Sequence, residues 1–419
     1  MSRKRTNKAV KLKTNKINQG IAVFGILLIL FMPYVVTGQD LVSQTTPVHA
    51  INHQYERLLI SALENISRNE MDQALAELEH LVRVEPNFKL AQLIYGDVLL
   101  SRSRPITDIG NIPALPNEYI ASLKEEARVR WKHHLNPPDN DKVPDSLIQL
   151  SDDQKYVIAI DLEESRLYLF QNRKGEPYLI NDFYISIGKN GIGKYQEGDQ
   201  KTPTGVYFIK NFISPDELPD FYGDGAFPID YPNPLDKRNN RDGYGIWLHG
   251  TPLGTYSRPP RDSNGCVVLT NQDLRALQPY ISIGKTPVIL ARKLNWIARD
   301  GWQQRQKLYE SFIETWRLDW ESMDVDLYLR HYAMDYSGLG KDYESWVAYK
   351  RRVTSNKQFI KINLTDTSVF LYPGEKDLLV VTFMQDYESN NYRKRFIKRQ
   401  YWRQESNGEW KIIYEGSVS

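Results

Sequence analysis

Hydrophobic positions change period along the chain, and each change marks a different kind of element. Between residues 52 and 101 apolar side chains recur every third or fourth position: Leu58, Leu59, Ala62, Leu63 and Ile66, then Ala74, Leu75, Leu78, Leu81 and Val82, then Leu90, Ala91, Leu93, Ile94, Val98 and Leu99. This spacing predicts three amphipathic helices, broken at Asn69-Glu70 and ended before Pro86. A fourth helix is expected over 117–134, with Ile120, Leu123, Ala127 and Trp131 and with proline-containing loops on both sides. The rest of 102–150 reads as a boundary region.

From Tyr156 the period falls to two. Val157, Ala159 and Asp161, then Leu167, Leu169 and Phe170, predict strands around a turn at 163–165. Further strands are expected at 178–187, 205–211, 245–249 and 287–292. One helix falls near 272–277, with Asn271 as its cap. Beyond residue 294 the period returns to helical up to Trp320, with helices at 324–333 and 343–355. Five strands follow, at 359–366, 368–372, 377–387, 393–404 and 410–415. The fold class expected is therefore multidomain: a helical region, a mainly-β sandwich, and an α+β domain curved around a cone.

The N-terminus changes where this chain is expected to work. Residues 1–19 carry seven lysines and arginines and no acid, and residues 20–37 form an apolar run. A basic flank before an apolar core of that length reads as an export signal or inner-membrane anchor over 1–39, cleaved or retained. The positive flank stays inside, so the remainder faces the periplasm or cell envelope. The charge balance is nearly even, with 54 Lys+Arg against 52 Asp+Glu. A dedicated nucleic-acid binder carries a clear basic excess, so nucleic acid is not an expected partner. His133 and His134 are adjacent and have no cysteine near, which is not a metal-ligand spacing. Residues 188–194 contain glycines but lack phosphate-loop spacing and read as a flexible loop beside the active site. No cofactor and no metal are expected.

The candidate chemistry lies between residues 249 and 266. Cys266 is the only cysteine in 419 residues, and His249 is the only one of seven histidines between residues 135 and 330. An exported chain with one cysteine cannot close an internal disulfide, so the thiol is free to react or to pair with another chain. A nearby imidazolium would lower a thiol's pKa and make it a better nucleophile. Ser263-Asn264-Gly265 before Cys266 is a turn-forming run, and the amides of Gly265 and Cys266 are a candidate oxyanion hole. The third member of a triad accepts from the other imidazole nitrogen, a task open to a backbone carbonyl or to Ser263. The site set is thus Cys266, His249 and Ser263 for catalysis, with Gly265, Gly250 and Asn264 around the oxyanion and substrate.

The run His249-Gly250, a gap, then Ser263-Asn264-Gly265-Cys266-Val267 resembles the signature of the YkuD-type L,D-transpeptidase catalytic domain. Gly198-Asp199-Gln200-Lys201-Thr202-Pro203-Thr204-Gly205-Val206-Tyr207 is similar to a second family element that leads into a strand. The resemblance covers about 155–292. It implies a β-sandwich with Cys266 as nucleophile, His249 as base and amides near Gly265 and Cys266 holding the oxyanion. The implied substrate is the peptidoglycan stem peptide, cleaved after the L-centre of its third residue with release of D-alanine. The acyl group would pass to an amine; with water instead, the same site is an L,D-carboxypeptidase, and an amidase releasing murein-bound protein is a third variant. One position departs: many members carry arginine two residues after the cysteine, where this chain has Val268, which leaves substrate binding open.

The tail resembles a second family. Trp316, Trp320, Asp324, Tyr328, Tyr332, Trp346, Lys350, Gln385, Tyr387, Lys398 and Glu415 fall in an order similar to the nuclear transport factor 2-like domain of enzymes of cell-shape control, over 304–418. It implies either a pocket for glycan, peptide or partner, or an aromatic core with a dimerising sheet face; His331 reads as structural. Over 50–135, Ala74, Leu78, Leu81, Pro86 and Gly96 are similar to a tetratricopeptide repeat, with a plain helical hairpin as the alternative. An envelope protein partner would dock on this region or on the tail. A non-catalytic envelope scaffold is the rival reading from another class.

Overall fold

The computed structural model describes residues 53–105, 108–110, 116–375 and 377–418. The expected export segment over 1–39 lies outside the described residues. Among the described residues no helix is long and apolar enough to cross a membrane.

Four helices come first: α1 (Gln54–Ser67), α2 (Met71–Val84), α3 (Lys89–Ser101) and α4 (Asn117–Leu135). Leu59, Ala62, Leu78, Leu81, Phe88, Leu93, Leu123 and Ala127 form their common core. The predicted breaks at Asn69 and Pro86 fall where the chain turns between helices, Asn69 with φ 62°. The layer is fastened to the following domain by buried charge. Arg130 of α4 binds Glu56 of α1 at 2.8 Å and Glu126 at 2.9 Å, and Glu56 also takes Arg166 of the β domain at 2.6 Å. Burial alone would raise the Glu56 carboxyl, but Arg166 and Arg130 together hold it well below the usual carboxylate range. Removing one partner from such a network strands the others without solvent. Arg130→Met is therefore expected to cost about 3–5 kcal/mol of unfolding free energy, read from urea titration. A loss within 0.5 kcal/mol would show that the network is not load-carrying.

The central domain is built on a five-stranded sheet in the order Glu176–Tyr184, Arg166–Arg173, Tyr156–Asp161, Pro287–Ala291, Gly205–Phe208. Tyr156–Asp161 and Pro287–Ala291 run parallel, so this sheet is mixed. A second sheet has the order Val267–Val268, Trp247–His249, Ala226–Pro228. Ile158, Ile160, Leu167 and Leu169 point into the same core as Phe227, Leu248 and Val267 of the second sheet. The alternate residues Val157, Ala159, Tyr168 and Phe170 are buried too, against Phe370, Tyr372, Val380 and Tyr401 of the tail. Burial on both faces is why Ile158 and Ile160, between the alternating positions Val157 and Ala159, are apolar as well.

The tail sheet has the order Trp410–Ser417, Tyr392–Gln404, Leu378–Ser389, Ile360–Leu371, and its fifth strand is Leu147–Gln149. That last strand comes from the stretch read as a boundary, and Ile148 is buried in the tail's aromatic core. A three-residue edge strand carries too little periodicity to announce itself. The two strands expected at 359–366 and 368–372 are one strand with an irregularity between Thr365 and Ser368, where Asp366 has φ 51°. The helix expected over 324–333 is only Val325–Leu329, and Asp324 caps it by accepting from the amides of Asp326 and Leu327. Trp316 and Trp320 of helix Arg299–Glu321 lie buried against this sheet.

Candidate active site

Strand Trp247–His249 and strand Val267–Val268 lie side by side and parallel, with Val268 paired to His249. Leu269 N–H closes the pair onto the His249 carbonyl at 2.9 Å. The two residues singled out from the sequence therefore come from neighbouring strands of one small sheet, and Cys266 stands at the mouth of the second. Its thiol is half-buried and points to the Gly245 carbonyl at 3.3 Å.

His249 is buried, with Nδ1 2.7 Å from the Gly250 carbonyl. A carbonyl only accepts, so Nδ1 carries the proton and the Nε2 lone pair is free. Among the described residues Nε2 has no hydrogen-bond partner. The ring is gripped by Tyr222 and Phe221, at centroid distances of 5.1 and 5.9 Å. Burial drives the His249 pKa down to about 4, against the bond to Gly250. Burial likewise pushes the Cys266 thiol up to about 11, and the Trp247 amide and the charges of Arg258 and Lys194 pull the other way without prevailing. The resting pair is a neutral thiol and a neutral imidazole. This differs from the expected imidazolium beside a lowered thiol, because a dry site penalises both charges.

Two other expectations are corrected. Ser263 Oγ donates to the Cys266 carbonyl at 2.7 Å and accepts from Gly265 N–H at 3.1 Å. It braces the turn and does not touch the imidazole; the Gly250 carbonyl has the place of the third member. The Gly265 amide is consumed by the same brace, so of the two amides expected at the oxyanion only that of Cys266 is left for it. Asn264 is exposed at the tip.

Gly265 has φ +121°, and a Cβ there would stand 2.9 Å from the Lys201 carbonyl. Gly265→Ala is expected to displace the turn, costing about 1–3 kcal/mol of stability and most of the activity; an alanine variant with wild-type turnover would show that the turn needs no glycine. Gly250 has no room either: a Cβ would run into Asn271 Oδ1.

Three residues outside the predicted set hold the site together. Thr202 Oγ1 donates to the Gly265 carbonyl at 3.0 Å and accepts from Gly188 N–H at 2.9 Å, so the second family element clamps the cysteine turn. Asn271 was expected to cap a helix. Thr270 does so by accepting from Asp273 N–H, and Asn271 instead ties Asp224 and Thr251 around His249. Arg258 is the third; its guanidinium lies 4.5 Å from the Phe221 ring centroid. The motif spelled out Thr202 as a letter, but nothing local marked Asn271 or Arg258. The 188–194 loop is tied down: Gly193 N–H reaches the Thr202 carbonyl at 2.9 Å and Lys194 binds Asp199 at 2.9 Å. It is a fastened wall of the site and not the flexible loop expected. Val268 is buried in its strand.

The tail holds a separate cavity of about 600 Å3, lined in part by Trp320, Trp346, Lys350, Gln385, Lys398 and Glu415. These are residues the tail resemblance put in order. Burial lowers Lys350 to about 7, against the charge of Glu415, and its Nζ stands 4.1 Å from the Trp320 ring centroid. His331 pairs with Asp319 at 2.7 Å, away from that lining.

Residues 155–290 match the family model of the L,D-transpeptidase catalytic domain, and residues 308–416 match that of the Cds6 C-terminal NTF2-like domain. The chain is similar to the structure of Bd1075 from Bdellovibrio bacteriovorus, at 31% identity over 66% of this chain and 98% of that one, with a TM-score of 0.59. It is similar also to the helical cell shape determining protein Pgp2 from Campylobacter jejuni, at 27% identity over 65% of this chain and 95% of that one, TM-score 0.55. The K307A mutant of Pgp2 aligns at 25% identity over 72% of this chain and 100% of that one, TM-score 0.55. No curated protein sequence matches. With both family models placed in order and a relative aligned along nearly its whole length, the chain belongs to the L,D-transpeptidase family, among members that carry a C-terminal NTF2-like domain.

Proposed function

We propose that this protein is an envelope L,D-transpeptidase that acts on peptidoglycan stem peptides through a Cys266 acyl-enzyme. The observation that carries the reading is the His249 ring: Nδ1 is committed to Gly250, and Nε2 is buried with no partner among the described residues, on the strand beside the chain's one thiol. A buried imidazole with a free lone pair costs desolvation and is kept where a proton must be taken. Cys266 Sγ attacks the carbonyl carbon after the L-centre of the third residue, and its proton goes to Nε2. The C–N bond breaks, and the imidazolium returns that proton to the departing D-alanine amine. The Cys266 amide holds the oxyanion. An amine on a neighbouring stem then attacks the thioester, gives its proton to Nε2, and releases the thiol. Water in place of that amine yields a tripeptide, and the protein is then an L,D-carboxypeptidase; an amide to murein-bound protein in place of the D-alanine bond makes it an amidase.

The basic flank and apolar run of the N-terminus support an exported location in the periplasm, with or without an anchor. Kinship with a helical cell shape determining protein supports a part in cell shape. The tail cavity, with lysines and the unpartnered Gln385 Oε1, is the proposed docking pocket for glycan, peptide or an envelope partner. The test is incubation of the full chain with purified tetrapeptide muropeptides and separation of the products. Cross-linked dimers mark transfer; tripeptides alone mark trimming and replace the transpeptidase reading with the carboxypeptidase one. No change in any murein substrate would favour the scaffold.

A further inference from the structure

The arginine that many family members carry after the cysteine is absent here, yet other cations act on the thiol through their charge. The charges of two residues, Arg258 and Lys194, act on Cys266. Lys194 is spent on Asp199, at 2.9 Å. Arg258 makes no ion pair within 4 Å among the described residues. Among the described residues its guanidinium donates from Nη1 to the Asp262 carbonyl at 3.2 Å. It is 8% exposed and its charge reaches His249 as well as Cys266. The Asp262 carboxylate acts on this guanidinium through its charge alone, from beyond ion-pair distance, and a guanidinium so buried over Phe221 is costly unless a closer anion arrives.

Its position is set from two sides. Tyr184 Oη donates to the Arg258 carbonyl at 2.8 Å, and Ser186 Oγ to that of Pro259 at 2.6 Å. On the other side Tyr256 packs on Phe88 with ring centroids 4.4 Å apart, and Ser257 Oγ donates to Glu126 of α4 at 2.7 Å. The helical layer thus grips the two residues before Arg258.

We propose that Arg258 binds the free carboxylate of the substrate's C-terminal D-amino acid, so that the site selects stem peptides whose cleaved bond is the last one. The inference rests on the reading of Cys266 as the nucleophile toward stem peptides. The chemistry fits the placement. In a C-terminal residue the carboxylate is joined through one carbon to the nitrogen that leaves, so its receptor must sit beside both Sγ and the imidazole. A planar fork that pairs with a carboxylate through two parallel hydrogen bonds suits that task. Arg258 also takes over the binding role that Val268 left open.

The test has two arms on the full-length protein. In the first, Cys266, the only cysteine, is alkylated with iodoacetate and with iodoacetamide at one pH. The ratio of the two rates cancels thiol ionisation and reads anion binding alone. Wild type is expected to favour iodoacetate by about tenfold relative to a free thiol, Arg258→Gln to lose that preference, and Arg258→Lys to keep part of it. An equal ratio in wild type and Arg258→Gln overturns the proposal, and the wild-type ratio alone overturns it if it matches free thiol. In the second arm, tetrapeptide is compared with its C-terminal amide and, using a stem whose third residue carries a side-chain carboxylate, with the amide of that second carboxylate. Wild type is expected to lose roughly 100-fold in kcat/KM on the C-terminal amide, and Arg258→Gln to treat acid and amide alike. A loss confined to the side-chain amide would assign Arg258 to the other carboxylate and overturn the proposal. An iodoacetate preference without any muropeptide turnover would sink the enzymatic reading and leave the anion site standing.

Discussion

Cys266→Ser is expected to lower turnover of tetrapeptide muropeptides by roughly 10^4-fold or more, with no change in fold. The oxygen fits where the sulfur sits, and the hydroxyl can still donate to the Gly245 carbonyl that accepts the thiol's hydrogen bond in the resting site. What is lost is nucleophilicity. A serine hydroxyl needs a strong base and a fully formed oxyanion site to compete. This site offers an imidazole held down to about 4 and, of the expected amide pair, the Cys266 amide alone. The measurement is single-turnover product formation by wild type and variant, with circular dichroism to show that both are folded. Matching rates would remove Cys266 from the chemistry, and with it the acyl-enzyme.

The second large effect concerns His249 and pH. A thiol pushed up to about 11 is ionised at pH 7 only to about one part in 10^4. Alkylation of Cys266 by iodoacetamide should therefore climb about tenfold per pH unit from 7 to 10, with no plateau at pH 5–7. His249→Ala should leave that slope alone while cutting turnover by about 10^2–10^4, because a neutral imidazole acts as base during attack and not by ionising the thiol beforehand. The acid limb of turnover should follow the imidazole at about 4. Stability has the same origin. The folded histidine binds its proton less tightly than the unfolded one, with 6.5 as the ordinary value. Stability is therefore full above pH 6.5 and falls as pH drops from there toward 4, by up to ~3 kcal/mol for this group. An alkylation plateau below pH 7 that vanishes in His249→Ala would establish a thiolate–imidazolium pair and refute the neutral one.

Much of the site is legible in the residues themselves. Cys266, His249 and Gly265 stand out because a lone thiol, a lone imidazole and a glycine turn are local facts of composition and spacing. The helices of the first hundred residues and the long strands of the tail were legible for the same reason. Periodicity records which face a segment buries, and it does so without reference to the partner. Thr202 was visible as a motif letter, but not as the hydroxyl that joins the Gly265 carbonyl to the Gly188 amide.

What the tertiary structure alone decided depends on distant segments meeting. Ser263 bonds within its own loop, and it is the Gly250 carbonyl that occupies His249 Nδ1. Asn271 leaves the helix cap to Thr270 because the loops around Asp224 and Thr251 converge on it. Leu147–Gln149 becomes the edge of a sheet whose next strand begins more than 200 residues later. The charge states of the pair reverse the expectation from sequence, since burial is a property of the packed fold and not of the residue. Arg258 is the clearest case: its letter is one arginine among many, and only the packing of Phe221, Tyr184 and the helical layer around it makes it a buried cation, without an ion pair within 4 Å among the described residues, whose charge acts on Cys266.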